Sequence, residues 1–354
     1  MNKPFSDLIV VELAGVLAGP SAGLFFAELG ANVIKIENPK TGGDVTRSWK
    51  LQSENKEDKT SAYYWSINSG KEIIFLDLLL DNDLQQFYTL IKTADILISN
   101  YKLGDDIKLK VDYNSLKTLN PTLIYASING FGNNSPRTAY DLILQAESGF
   151  MYMNGEKHAS PLKMPVALID ILAGHQLKEA ILIALLNKHK TKLGSHVSVS
   201  LFDTAIASLA NQATNWLIAN QLPSAQGSLH PNIAPYGEIF KTKDNHQITF
   251  AIGSDKQFIQ LCEILNLQVI PEYNTNQLRV INRVDLFDIL NEEIKKLDFE
   301  ILFNDCLKHD IPIGKIRNLK EVFELPEAQQ LISSFHYQKN IIHSVKSIAF
   351  TVTS

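Results

Sequence analysis

Leu8-Ile9-Val10-Val11-Glu12, Ala14-Gly15-Val16-Leu17-Ala18-Gly19-Pro20 and Asn32-Val33-Ile34-Lys35-Ile36-Glu37 follow one another near the start of the chain. Together they span about 30 residues, the size of a strand–helix–strand unit. The first run is continuously apolar before its glutamate, as a strand covered on both faces requires. The small residues of the second make a turn. Ser21 is expected to cap a helix running to Leu29 and closed by Gly30, and Asn32–Glu37 to form the next strand.

The same alternation continues outward. Ile73–Leu78, Asp95–Ser99 and Leu123–Ile128 read as strands, and Leu84–Thr93 and a segment ending at Leu116–Leu119 as helices. Strands alternating with helices specify an α/β fold with a doubly wound, mostly parallel sheet. Further on, Gly174–Lys190 and Leu201–Asn220 read as long helices flanking a strand at His196–Ser200. Beyond Pro223-Ser224 the pattern becomes strand pair, helix, helix. The expected division is a large Rossmann-like domain over 1–222, with 322–354 returning to it, and a small α+β domain over 223–321.

Composition narrows the function. The 354 residues are 45% hydrophobic and 20% charged, enough for a large core, with a net charge of −5. Phosphate-backbone binding needs a basic face, so a general nucleic-acid binder is disfavoured. Cys262 and Cys306 form no CxxC pair, and the nine histidines form no HExxH or His-x-His pair, so neither a disulfide scaffold nor a metal centre is expected. No apolar run reaches the roughly 18–20 residues that span a bilayer. A cytoplasmic protein with no membrane segment is the expectation.

Few residues stand out as chemistry. Gly15-x-x-x-Gly19 is neither a dinucleotide fingerprint nor a Walker loop, so it reads as a tight turn or as a backbone-lined pocket at a helix N-terminus. Asp170 stands inside the apolar stretch Pro165–Ala173, where a carboxylate is costly unless paired or used. Asp141, after Tyr140, opens the apolar stretch Leu142–Phe150. Either acid could be a helix N-cap. No GxSxG elbow supports a serine nucleophile.

The collinear set of short motifs resembles CoA-transferase family III. It comprises Leu13–Pro20, Leu29–Glu37, Gly43–Arg47, Asn68–Lys71, Ala94–Tyr101, Asn120–Gly132, Tyr140-Asp141, Gly194–Leu201, His230–Tyr236 and Ile311–Ile316. The resemblance implies a Rossmann-like large domain, a smaller α+β domain and an interlocked homodimer. It implies that coenzyme A and acyl-CoA are substrates, with carboxylic acids as partners and no permanently bound cofactor. The family's catalytic aspartate falls on Asp170, beside a Tyr140–Asp141 pair. Val16 and Ala18 match backbone contacts to the pantetheine arm, Asn100 and Tyr101 a pair lining the CoA site, and Lys71 and Lys102 cationic positions.

Three departures accompany it. Asn38 replaces a frequent arginine, Leu17 stands where formyl-CoA transferase has glutamine, and that enzyme's glycine-run loop is missing. The resemblance also implies a longer C-terminal segment than the one ending at Ser354. The family includes a racemase branch, which uses a histidine before the acid; Tyr140 occupies that place and is a poor base near neutral pH. A non-catalytic acyl-CoA binder is the other alternative, and an NAD-dependent dehydrogenase a distant third.

Overall fold

The computed structural model describes residues 3–132, 134–337 and 340–353. The chain divides into two compact units: Met1–Tyr152, Leu162–Pro223 and Gln330–Ser354 form the first, Met153–Pro161 and Ser224–Gln329 the second. Met153–Pro161 and residues 322–329, expected in the large domain, group with the small one. Gly227 N–H donates to the Gly155 carbonyl at 2.8 Å, which ties the two stretches of that unit together.

The first unit is built on a six-stranded sheet. In chain order its elements are β1 (Ile9–Glu12), α1 (Ala18–Glu28), β2 (Asn32–Glu37), α2 (Ala62–Asn68), β3 (Glu72–Phe75), α3 (Asp81–Ile91), β4 (Ile96–Ser99), α4 (Asp105–Lys108) and α5 (Tyr113–Leu119). Then come β5 (Ile124–Asn129), α6 (Asp141–Glu147), α7 (Phe150–Met153), α8 (Leu168–Thr191), β6 (Ser195–Ser200), α9 (Leu201–Ala207) and α10 (Ala210–Ala219). The strand order is β3-β2-β1-β4-β5-β6, with every neighbouring pair parallel. Alternate strand residues serve two cores. Val10, Ile96, Ile98, Ile124 and Ala126 pack with α1 and α8, while Val11, Leu97, Leu123 and Tyr125 pack with α3 and α5. Cover on both faces explains why these strands read as unbroken apolar runs.

Three helices differ from expectation. α1 begins at Ala18 with no side-chain cap, and Ser21 Oγ instead donates to the Ala18 carbonyl at 2.8 Å. The expected helix 201–220 is two, α9 and α10, with Ala210 at φ +47° at their junction. α8 starts six residues before Gly174, at Leu168. No local side chain caps that start, so nothing in the adjacent sequence marks it. Gly174 is required for packing: a Cβ there would lie 2.0 Å from Ser21 Oγ and 3.0 Å from the Ala18 carbonyl of α1.

The second unit holds a three-stranded antiparallel sheet, β7 (Tyr236–Lys241), β8 (Gln247–Ala251) and β9 (Ile313–Lys315). It packs against α11 (Asp255–Ile264), α13 (Arg283–Ile294) and α14 (Phe299–Lys308), which follow one another with α12 (Asn276–Ile281) between the first two. α15 (Leu319–Phe323) and α16 (Pro326–Gln329) close this unit, and the hairpin β10 (Ile332–Tyr337)–β11 (Asn340–Val345) belongs to the first. Among the described residues no helix is long and apolar enough to cross a membrane.

Replacing Gly174 by alanine should lower the stability of the first unit by about 1–3 kcal/mol, the usual cost of overpacking. Gly314→Ala, where the added carbon meets nothing within 4 Å, should be close to neutral. Denaturant midpoints of the two variants check the difference.

Candidate active site

In an open parallel sheet, ligands bind beyond the carboxyl ends of the strands where the strand order reverses. Here that point lies between β1 and β4. The loop Leu13–Leu17 leaves β1 there, and Asn100–Lys102 leave β4 beside it. Asn100 clamps the loop: its Oδ1 accepts from Gly15 N–H at 3.1 Å and its Nδ2 donates to the Gly15 carbonyl at 2.8 Å.

The loop is held from below by buried charge. Lys35 Nζ donates to the Ala14 carbonyl at 2.6 Å and pairs with Glu12 at 3.0 Å and Asp44 at 3.1 Å. Asp44 in turn accepts from Val16 N–H at 3.2 Å and from Thr46 N–H and Oγ1. Burial pulls the Lys35 ammonium down, but Glu12 and Asp44 outweigh it and hold its pKa above the ordinary lysine value. Val16 sits at φ +71°, left-handed backbone that costs a β-branched residue about 1–3 kcal/mol. Asp44 and Asn100, on either side, fix that conformation.

Val16, Ala18, Asn100, Tyr101, Lys102, Tyr140 and Asp170 line one cavity of about 540 Å³ within the first unit. Ala18, the uncapped first residue of α1, brings to this cavity a backbone N–H that has no intrahelical partner. Tyr101 is buried enough, with Asp105 nearby, for its phenol to be pushed up to about 12. Lys102, an exposed residue, lines the same cavity.

Lys71 does not join them. Its ammonium is fully buried, paired with Glu12 at 2.9 Å and bonded to the Pro20 carbonyl and Asn68. Burial brings its pKa down to about 8 despite Glu12. It closes the charge cluster beneath the loop and borders a separate recess with Arg47 and Trp65.

Asp170 lies in the first turn of α8, 8% exposed, with its side chain at the cavity wall. Burial first, and the carboxylate of Asp141 second, push its pKa up to about 7. Asp141 is the first residue of α6 but does not cap its own helix. Its Oδ1 accepts from Ile169 N–H at 2.7 Å and Asp170 N–H at 3.3 Å, so it caps α8 from a distance. Tyr140 is the N-cap of α6, half-exposed, and offers no side-chain cap bond.

Several contributors escaped sequence reading. Arg137 lines the cavity, forked onto Glu147 and stacked over Phe131. Ser127 and His196, from adjacent strands, bond at 2.9 Å in its wall. Tyr63 on α2 is pushed up to about 12 by burial and by Asp170, Asp141 and Asp44. Asp44 lay within the Gly43–Arg47 motif but was given no role there.

A sequence model of CoA-transferase family III matches residues 5–352. The chain belongs to this family. It is 41% identical over 337 residues to a succinate–glutarate CoA-transferase of Agrobacterium fabrum, covering 93% of this chain and 84% of that one. It is 33% identical to the human succinyl-CoA:glutarate CoA-transferase (92% and 74% covered). It is 31% identical to a succinyl-CoA:mesaconate CoA-transferase of Haloarcula marismortui (90% and 82%). Among solved structures, a CaiB/BaiF family protein from Brucella suis superposes with a TM-score of 0.83 at 35% identity, covering 99% of this chain and 93% of that one. The chain is thus a CoA-transferase, and its Rossmann-like α/β architecture is the family's.

The Asp170 pKa carries a stability signature. Its folded value, about 7, exceeds the ordinary 3.8, so the fold favours the protonated acid. That contribution is complete below about pH 4 and is lost as pH rises through 7, at about 1.4 kcal/mol for each pH unit between the two values. Between pH 5 and 8 the wild type should therefore lose roughly 2–4 kcal/mol more than Asp170→Asn, measured by urea unfolding at both pH values.

Proposed function

We propose that this CoA-transferase moves CoA between short dicarboxylic acids by covalent catalysis on Asp170. The observation that carries the reading is a buried carboxylate of near-neutral basicity, opening on a cavity lined by the loop after β1 and the start of α1. Relatives named for succinate, glutarate and mesaconate support the class of acid.

The chemistry balances on one side chain. A carboxylate oxygen of Asp170 attacks the thioester carbonyl, the C–S bond breaks, and CoA leaves as thiolate, forming a mixed anhydride. The thiolate attacks the aspartyl carbonyl and expels the donor acid as carboxylate, forming an aspartyl-CoA thioester. The acceptor carboxylate then runs both exchanges in reverse. No proton is consumed overall, and the thioester's energy is conserved through the covalent intermediates. Amides at the first turn of α1 would stabilise the developing oxyanion.

Val16, Ala18, Asn100, Tyr101 and Lys102 would hold the pantetheine arm and phosphates of CoA. Lys71, committed to Glu12, would act by supporting the loop. A homodimer working in the cytoplasm belongs to the same reading. Family membership supports the dimer, and two free, buried cysteines are consistent with a reducing compartment.

The test is a panel of acyl-CoA donors against carboxylic acids, read by mass spectrometry, with hydroxylamine added during turnover. Asp170 should be recovered as a hydroxamate. Asp170→Ala should abolish exchange yet leave CoA binding within about tenfold, because the lost group acts on the acyl carbon. Only the carboxylate attacks, so kcat/KM should rise with pH to a plateau, its acid limb centred near 7. Exchange that persists in the alanine variant would end the proposal.

A further inference from the structure

We propose that Asp141 and Gln145 form a positioning bracket on α6 that fixes the start of α8 and keeps its amides from stabilising the Asp170 carboxylate. The proposal rests on the reading of Asp170 as the acyl acceptor. Four bonds carry it. Asp141 Oδ1 takes the N–H groups of Ile169 at 2.7 Å and Asp170 at 3.3 Å. Gln145 Nε2 donates to Asp141 Oδ2 at 2.5 Å, and Gln145 Oε1 accepts from Met164 N–H at 2.8 Å, ahead of α8.

Gln145 is fully buried, where an amide persists only if its bonds are made. It lies one helical turn after Asp141, so both side chains leave α6 on one face. Their bonds replace the missing local cap of α8, since Ala167 at the N-cap position has no polar side chain.

The electrostatic consequence follows from the geometry. A carboxylate in the first turn of a helix is normally stabilised by the exposed amides and the positive end of the dipole. Here two of those amides are already spent on Asp141, whose charge opposes that of Asp170. The nucleophile keeps a higher basicity than its place in a helix would give it.

Other charged and titratable groups around α8 are engaged elsewhere, exposed, at the cavity wall or neutral. Glu28 on α1 is committed to Ser347 and Ile348, and Glu147 on α6 to Arg137. Asp203 on α9 and His196 on β6 are exposed. Lys102 lies across the cavity wall, and Tyr63 is a neutral phenol at working pH.

Two variants test the bracket. Asp141→Asn retains an acceptor for the amides but removes the charge. The Asp170 titration midpoint, read from the protonated-carboxyl infrared band that Asp170→Asn deletes, should fall by on the order of one pH unit. The acid limb of kcat/KM should fall with it. Gln145→Met should lower kcat about tenfold while KM for CoA stays within twofold, the signature of a misplaced nucleophile.

A folded Asp141→Asn with an unmoved midpoint overturns the charge role. If that variant is also inactive at every pH, Asp141 is itself a reacting group. Loss of melting temperature in Gln145→Met without loss of kcat reduces Gln145 to a structural role and overturns its half of the bracket. The infrared midpoint needs no substrate. A midpoint that moves in a protein whose Asp170 never yields a hydroxamate would leave the bracket standing and sink the acyl-acceptor reading instead.

Discussion

One ammonium group, Lys35 Nζ, holds together the ends of β1 and β2 and the loop that follows β1. It is 1% exposed and faces Glu12, Asp44 and the Ala14 carbonyl at once. A charge buried this deeply is tolerable only with its partners in place, and removing one member of such a set typically costs about 3–5 kcal/mol. The penalty makes the arrangement all-or-none. Asp44 stands where it can hold Val16 in left-handed backbone only while Lys35 neutralises it. Lys71, entering from the start of β3, supplies the second cation that balances Glu12 and Asp44.

This base explains how a glycine-poor loop can be rigid. Backbone amides are useful to a developing oxyanion only if they are fixed before the charge appears. Asn100 pins Gly15 from the β4 side and Asp44 pins Val16 from the β2 side, so the strands on either side of β1 each contribute one restraint. Facing the loop, α8 brings Asp170 to the same cavity. Close approach of α1 and α8 is possible because Gly174 presents no side chain to Ser21 and Ala18. The loop and Asp170 are thus registered by helix packing, with no contact between them needed.

Much of this was legible in order along the chain. The strands gave themselves away as apolar runs, because a doubly wound sheet hides both faces. Val16, Ala18, Asn100, Tyr101, Lys102, Tyr140 and Asp170 were each singled out and do share one cavity. Lys71 and Asp141 were singled out as well but lie behind the cavity wall, one under the loop and one under the helix start. A motif marks that a residue matters; it does not mark whether the side chain faces a ligand or another part of the chain. Gln145 went unnoticed although its signal was present, a lone amide one turn from Asp141 on an apolar helix.

The sequence by itself determined the α/β class, the parallel sheet and the identity of the candidate nucleophile. The first two follow from periodicity and turn residues, which are local properties. Asp170 was left open between a helix N-cap and a reacting acid by its apolar surroundings, and was singled out by the collinear resemblance to CoA-transferase family III. Only the tertiary structure decided where α8 begins, what caps it and why the Asp170 carboxyl titrates near neutrality. The cap comes from Asp141, 28 residues before the first amide it accepts from. Burial and the approach of one carboxylate to another are set by how helices pack, which no window along the chain contains.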